Sequence, residues 1–305
     1  MSNPTTRLED RIASGKLLLV AEITPPAGAD PAALRQAARR YADKVHAVGI
    51  TDNRDRVSMS ALAAAAIVAG EGIEPILHVT TRDRNRIALV SEALGAQALG
   101  IRNLLCTSGS HQTLGQFRAA KNVYDVDSIQ LLAAYAGLAR DASLVGQQAV
   151  EGAGPFCLGA VASPDADPVE LQVLRLEKKV AAGATFLITQ PVYDLERFDA
   201  WWKEVARRGI HEKVAILAGI QPLTAEVLAR HREDKRPSSR IPEAVAERIE
   251  SATSPGAKRV AAIEAAVETV RKLAGLAGLR GFGVSGDGDA TAALEIIEKS
   301  GLETR

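Results

Sequence analysis

The chain has 305 residues, 47% of them hydrophobic and 24% charged, and its 37 Lys plus Arg balance its 37 Asp plus Glu. This is the composition of an ordinary folded protein, and zero net charge leaves no chain-wide footprint for nucleic acid or an anionic membrane surface. The longest apolar run, "ALAAAAIVAG" at 61–70, falls well short of the ~20 residues of a membrane span, and the polar opening "MSNPTTRLEDR" is no secretory signal, so a cytoplasmic location is expected.

Short apolar or β-branched runs alternate with longer alanine-rich amphipathic stretches from end to end. Strands are expected at about 17–23, 45–51, 73–79, 101–107, 156–162, 185–190, 213–218 and 279–284. Helices are expected at 31–43, 58–70, 84–98, 127–140, 168–182, 194–208, 222–231 and 288–299, with an additional pair at 241–251 and 255–277 before the last strand. Eight strand-then-helix units without a break in composition point to one α/β domain over 1–305, a closed (β/α)8 barrel, with a doubly wound open sheet as the alternative. "GFGVSG" at 281–286 matches the dinucleotide fingerprint G-x-G-x-x-G, but too little chain follows for a second strand. It is a glycine-rich turn with Asp287 or Asp289 as helix cap.

In such a barrel the site forms at the C-terminal ends of the strands. The first strand, in "LLLVAEITPP", ends at Glu22, a carboxylate at the exit of an apolar run that two prolines close. The second ends "GITDN", with Thr51, Asp52 and Asn53. The third ends "LHVTTRDRNR", with His78 and Thr80, and the fourth "LLCTSGSH", with Thr107, Gly109, Ser110 and His111. The fifth ends "GAVASPDADP", the sixth at Gln190 and the seventh at Gln221. These are mostly neutral hydrogen-bonding groups, suited to a heteroaromatic ligand rather than a metal or a polyanion.

Competing chemistries are weak. The five histidines show no ligand spacing. "DVD" at 125–127 and "DAD" at 165–167 read as caps or solvated loop acids. Ser110 beside His111 lacks a nucleophile elbow and a third partner. "RDRNR" at 82–86 reads as the solvated start of a helix rather than a phosphate clamp, and His78 could equally be a core residue. Cys106 and Cys157, each in an apolar run, read as buried reduced thiols.

The order of motifs resembles the methylenetetrahydrofolate reductase family in its short bacterial form. The resemblance rests on the strand-one glutamate before two prolines, "HVTTRDRNR", "GIRNLLCTSG", "AKNVYDVDSIQLL" and "KKVAAGATFLITQ", and it covers nearly the whole chain. It implies hydride transfer to 5,10-methylenetetrahydrofolate, with Glu22, held partly protonated by a dry pocket behind Pro25 and Pro26, as general acid. Gln190 would bind the pterin edge. FAD reduced by NAD(P)H would lie against Thr51, His78, Gly109, Ser110, Tyr124 and Ala162, with Arg175 and Lys179 on its phosphate side. Relatives carry an aspartate where this chain has Ser110, and Gln172 replaces another. The alternatives are a flavin-free reductase taking hydride directly from NAD(P)H, a non-catalytic folate- or partner-binding subunit, and a pterin-dependent methyltransferase. A metal is not expected, and homo-oligomerisation stays open.

Overall fold

The computed structural model describes residues 6–54, 56–138, 154–234 and 239–302. Eight parallel strands close into a barrel in sequence order. They are β1 (Leu18–Ile23), β2 (Ala47–Ile50), β3 (Pro75–Thr80), β4 (Asn103–Thr107), β5 (Cys157–Ala162), β6 (Phe186–Pro191), β7 (Ala215–Ile220) and β8 (Gly281–Ser285). Helices α2 (Ala32–Tyr41), α3 (Ala61–Gly70), α4 (Arg86–Ala98), α5 (Ser128–Gly137), α6 (Val169–Ala181), α7 (Leu195–Arg207), α8 (Ala225–Glu233) and α11 (Ala290–Ser300) follow β1 to β8 in turn. Helices α9 (Glu243–Glu250) and α10 (Pro255–Leu273) form the additional pair. The open-sheet alternative is excluded by the β1–β8 pairing, Leu18 opposite Gly281 through Glu22 opposite Ser285. The expected end of the fifth helix, at 139–140, lies outside the described residues.

Strand alternation sorts each strand's side chains into two cores. Leu18, Val20, Ala47, Ile76, Leu105, Cys157, Phe186, Ala215 and Leu217 fill the barrel. The neighbours of opposite parity, such as Leu19, Ala21, Leu77, Leu104, Leu158 and Ile216, pack outward under the helices. Phe186 is accommodated because its neighbour across the barrel wall is Gly159, where a Cβ would come within 2.2 Å of the ring. The helices present matching stripes: in α7 the buried residues are Phe198, Trp201, Trp202 and Val205, spaced three to four apart. Two starts are capped as expected: Asp127 accepts from the backbone of Ile129 and Gln130 at α5, and Asp289 from Thr291 at α11.

One helix was not expected. In α1 (Arg7–Ala13), Thr6 and Glu9 form a capping box, and Leu8 is fully buried inside the N-terminal end of the barrel. The pattern Thr-x-x-Glu is legible in "TRLEDR", but only one apolar position follows at core spacing before Gly15, too few for a periodicity argument.

Candidate active site

The C-terminal ends of the strands enclose a cavity of about 460 Å³, within the range for a small heteroaromatic ligand. Its walls include Glu22, Thr51, His78, Gly109, Ser110, Arg175, Lys179 and Gln190, brought together from five strand ends and α6. Two expected contacts fall elsewhere. Ala162 is fully buried in the outer core, because Val161 takes the inward position on β5 and alternation turns the next side chain to the helices. Tyr124 stands outside the cavity wall, exposed at the rim, with its hydroxyl donating to the Gly109 carbonyl at 3.4 Å.

Glu22 is not in a dry pocket. Its side chain keeps 25% of its exposure, and Arg54 pairs with it at 3.0 Å. The prolines do not wall it: Glu22 lines the cavity, and neither Pro25 nor Pro26 does. Both hydrogen bonds, from Arg54 Nη1 and from Ser285 Oγ at 2.9 Å, fall on Oε1. Among the described residues none falls on Oε2. Sequence reasoning singles out neither Arg54 nor Ser285; "NRDR" after the second strand is the only hint of the former.

Beneath the rim lies a girdle of charge. Asp52 is buried, accepts from the Thr80 backbone N–H at 3.0 Å and takes both guanidinium nitrogens of Arg84. Arg82, 7% exposed, donates to the carbonyls of Asn53 and Ser110 at 2.8 and 3.1 Å and pairs with Asp83. The "RDRNR" segment is therefore solvated only in part: Asn85 and Arg86 are exposed at the start of α4, as expected, while Arg82 ties the loops after β2 and β4 together and Arg84 holds Asp52. The tie needs Gly109, whose φ is +77° and where a Cβ would lie 2.4 Å from the Thr80 methyl.

Apart from Asp234, the remaining polar groups of the wall are neutral or cationic. Burial pushes the His78 imidazole below its ordinary value, so it stands uncharged, and its Nε2 is enclosed without a partner. Thr51 Oγ1 is enclosed and unpartnered as well. Lys179 is buried and donates to the Val161 carbonyl at 2.5 Å. Burial, reinforced by the neighbouring Arg175, lowers its pKa to about 8. Ser110 is exposed at the cavity edge and is engaged through its carbonyl only.

Other sequence candidates have structural roles. Asp125 holds Arg86, while Asp165 and Asp167 hold Arg240 and Arg197. No cluster of metal-ligating side chains occurs among the described residues, and no helix among them is long and apolar enough to cross a membrane. Cys106 and Cys157 are buried free thiols; burial pushes Cys157 up to about 12 and Cys106 higher still.

These residues fit a flavin. The wall supplies neutral donors and acceptors for an uncharged ring, and Arg175 and Lys179 lie one helical turn apart on a single side of the cavity, where a phosphate would take them.

The methylenetetrahydrofolate reductase family model matches residues 7–301. A probable methylenetetrahydrofolate reductase (NADPH) of Caenorhabditis elegans is 25% identical over 171 residues, 56% of this chain and 24% of the relative. Methylenetetrahydrofolate reductase 2 of Saccharomyces cerevisiae is 26% identical over 187 residues, 58% of this chain and 28% of the relative. The match thus spans about a quarter of the length of these relatives. Among solved structures, an uncharacterized protein from Clostridium thermocellum that binds two copies of 5-methyl-5,6,7,8-tetrahydrofolic acid superposes with a TM-score of 0.62 at 12% identity, over 95% of this chain and 97% of that one. Oxaloacetate acetylhydrolase superposes at 0.52 and 11% identity, over 94% and 81%. Likeness at that level of identity shows the barrel alone.

Proposed function

This chain belongs to the methylenetetrahydrofolate reductase family, and on that premise we propose that it is a reductase carrying 5,10-methylenetetrahydrofolate to 5-methyltetrahydrofolate with electrons from NAD(P)H. The observation that carries the reading is Glu22, an acid at the cavity wall whose Oε1 is held by Arg54 and Ser285 while Oε2 is left for a ligand. Protonated at Oε2, Glu22 donates to a bridge nitrogen of the folate. The five-membered ring opens to an iminium, and hydride adds to its carbon. Gln190, on the cavity wall at the end of β6, would bind the pterin edge through its amide.

FAD, when bound, supplies a two-electron carrier between NAD(P)H and the folate. Thr51, His78, Gly109 and Ser110 would line its ring. Arg175 and Lys179 would hold its phosphate side, where an arriving anion favours the charged form of Lys179. A second reading, direct hydride transfer from NAD(P)H to the folate, is favoured by two observations: Ser110 is neutral, and the Lys179 amine is already committed to the Val161 carbonyl.

The test is a visible absorption spectrum of the purified protein together with NAD(P)H oxidation dependent on 5,10-methylenetetrahydrofolate. Turnover with a flavin spectrum supports the first reading, and turnover without one supports the second. No folate-dependent oxidation, with or without added FAD, overturns both.

A further inference from the structure

Closing the barrel gives the glycine-rich "GFGVSG" at 281–286 a place beside Glu22. In the β1–β8 pairing Ser285 stands directly opposite the acid, and both residues line the cavity, as equal parity on two neighbouring strands requires. The chain turns away at once after Ser285. A Cβ at Gly286 would come within 1.9 Å of the Asp289 carbonyl oxygen, so the turn needs glycine there.

That turn gives the Ser285 hydroxyl a direction. Its oxygen accepts from the Asp287 N–H at 3.3 Å, and its hydrogen goes to Glu22 Oε1 at 2.9 Å. Asp287 is itself held by Arg230. Arg54 Nη1 donates to the same Oε1 at 3.0 Å. Two donors occupy both lone pairs of that oxygen, and a proton can join it only by displacing one of them. Of the two donors, Arg54 is the looser guide. Its side chain is 38% exposed and has wide rotamer freedom, whereas Ser285 is short and sits on the adjoining strand.

We propose that Ser285 is a positioning residue: it fixes Glu22 through Oε1, so that the acid's proton resides on Oε2 and leaves from there to the folate bridge nitrogen. The inference rests on the reductase reading. Ser285 keeps its own proton throughout and acts only through Glu22.

Ser285→Ala removes the hydroxyl and leaves the strand pairing intact. With Arg54 as the remaining donor, kcat should fall about tenfold while the Kd for 5-methyltetrahydrofolate stays that of the wild type. Ser285→Thr keeps the hydroxyl and should hold kcat within about threefold of the wild type. A double-mutant cycle separates positioning from direct contact. In a Glu22→Gln background, where there is no proton to place, adding Ser285→Ala should change the residual kcat by less than about twofold. An unchanged kcat in Ser285→Ala, a loss that persists in the Glu22→Gln background, a weakened folate Kd in place of a lower kcat, or a threonine variant as slow as the alanine overturns the proposal. Failure of the reductase reading is separate: it shows as absent folate turnover in the unmodified protein.

Discussion

The two ends of the barrel solve opposite problems. At the N-terminal end α1 closes the opening with Leu8, and its free backbone groups are taken up: Glu74 accepts from the N–H groups of Arg7 and Leu8, both at 3.0 Å, and from Asn103 Nδ2 at 2.7 Å. Thr6 donates to Asn103 Oδ1, and Arg280 donates to the Ile12 carbonyl. At the C-terminal end the polar groups face a cavity, and His78 Nε2 and Thr51 Oγ1 have no partner among the described residues. Enclosed polar atoms left unpaired cost stability. One end is thus built for stability, while the other forgoes some of it to keep a ligand site.

The largest effect that separates the ends is on chemistry. Glu22→Gln keeps the side chain's size and its bonds to Arg54 and Ser285 but cannot donate the proton. Folate turnover should fall by ~10²–10⁴-fold, while the urea midpoint stays near that of the wild type. Stopped-flow reduction of any bound flavin by NAD(P)H needs no such proton and should proceed at the wild-type rate. A variant that loses stability but keeps turnover per folded molecule would make Glu22 a structural partner of Arg54 and nothing more.

Asp52→Ala tests the girdle beneath the rim. It leaves Arg84, with 16% of its side chain exposed, as a cation without its bidentate partner, and it removes the acceptor of the Thr80 N–H. Breaking a buried pair from one side costs ~3–5 kcal/mol. Urea denaturation should show that loss, and turnover should fall too because Asp52 joins the cavity-lining ends of β2 and β3 through the Thr80 N–H and Arg84. At the sealed end, Leu8→Ala should cost ~2–5 kcal/mol by the cavity it leaves. Turnover per folded molecule should be untouched there. If Leu8→Ala lowered kcat as much as Asp52→Ala, the division between the ends would be wrong.

The contrast also explains what was legible in the sequence. Eight apolar runs and eight amphipathic stretches sufficed for the barrel, because burial on both faces of a parallel strand writes itself into composition. Cavity-lining residues followed wherever a polar side chain interrupted such a run, as Glu22, His78 and Gln190 do. Parity was harder: Ala162 and Val161 are both small apolar residues, and nothing local says which one turns inward. Pairing was harder still. Asp52 and Arg84 are 32 residues apart, and "RDRNR" looks the same whether it meets water or a buried carboxylate. Helix α1 is not legible because only two apolar residues, Leu8 and Ile12, do its packing, too few for a periodicity.

The smallest effect belongs to Lys179, and it is read as a function of pH. Burial beside Arg175 lowers the folded pKa from 10.5 to about 8. In unfolded chain the amine keeps its proton to the ordinary value. Between those limits the unfolded state binds more protons than the folded one, so stability attributable to this group rises with pH across the window. Below pH 8 both states carry the proton, and the cost of burying the cation is present in full. Lys179→Met removes the titration. The variant should be more stable than wild type near neutral pH by at most about 3 kcal/mol, and the gap should close towards pH 10 as the wild-type amine loses its charge. Urea midpoints at pH 7, 8, 9 and about 10 trace the difference. A gap that stays constant over that range would mean the Val161 carbonyl and the cavity already compensate the charge, and Lys179 would then hold no charge in reserve for an anionic ligand.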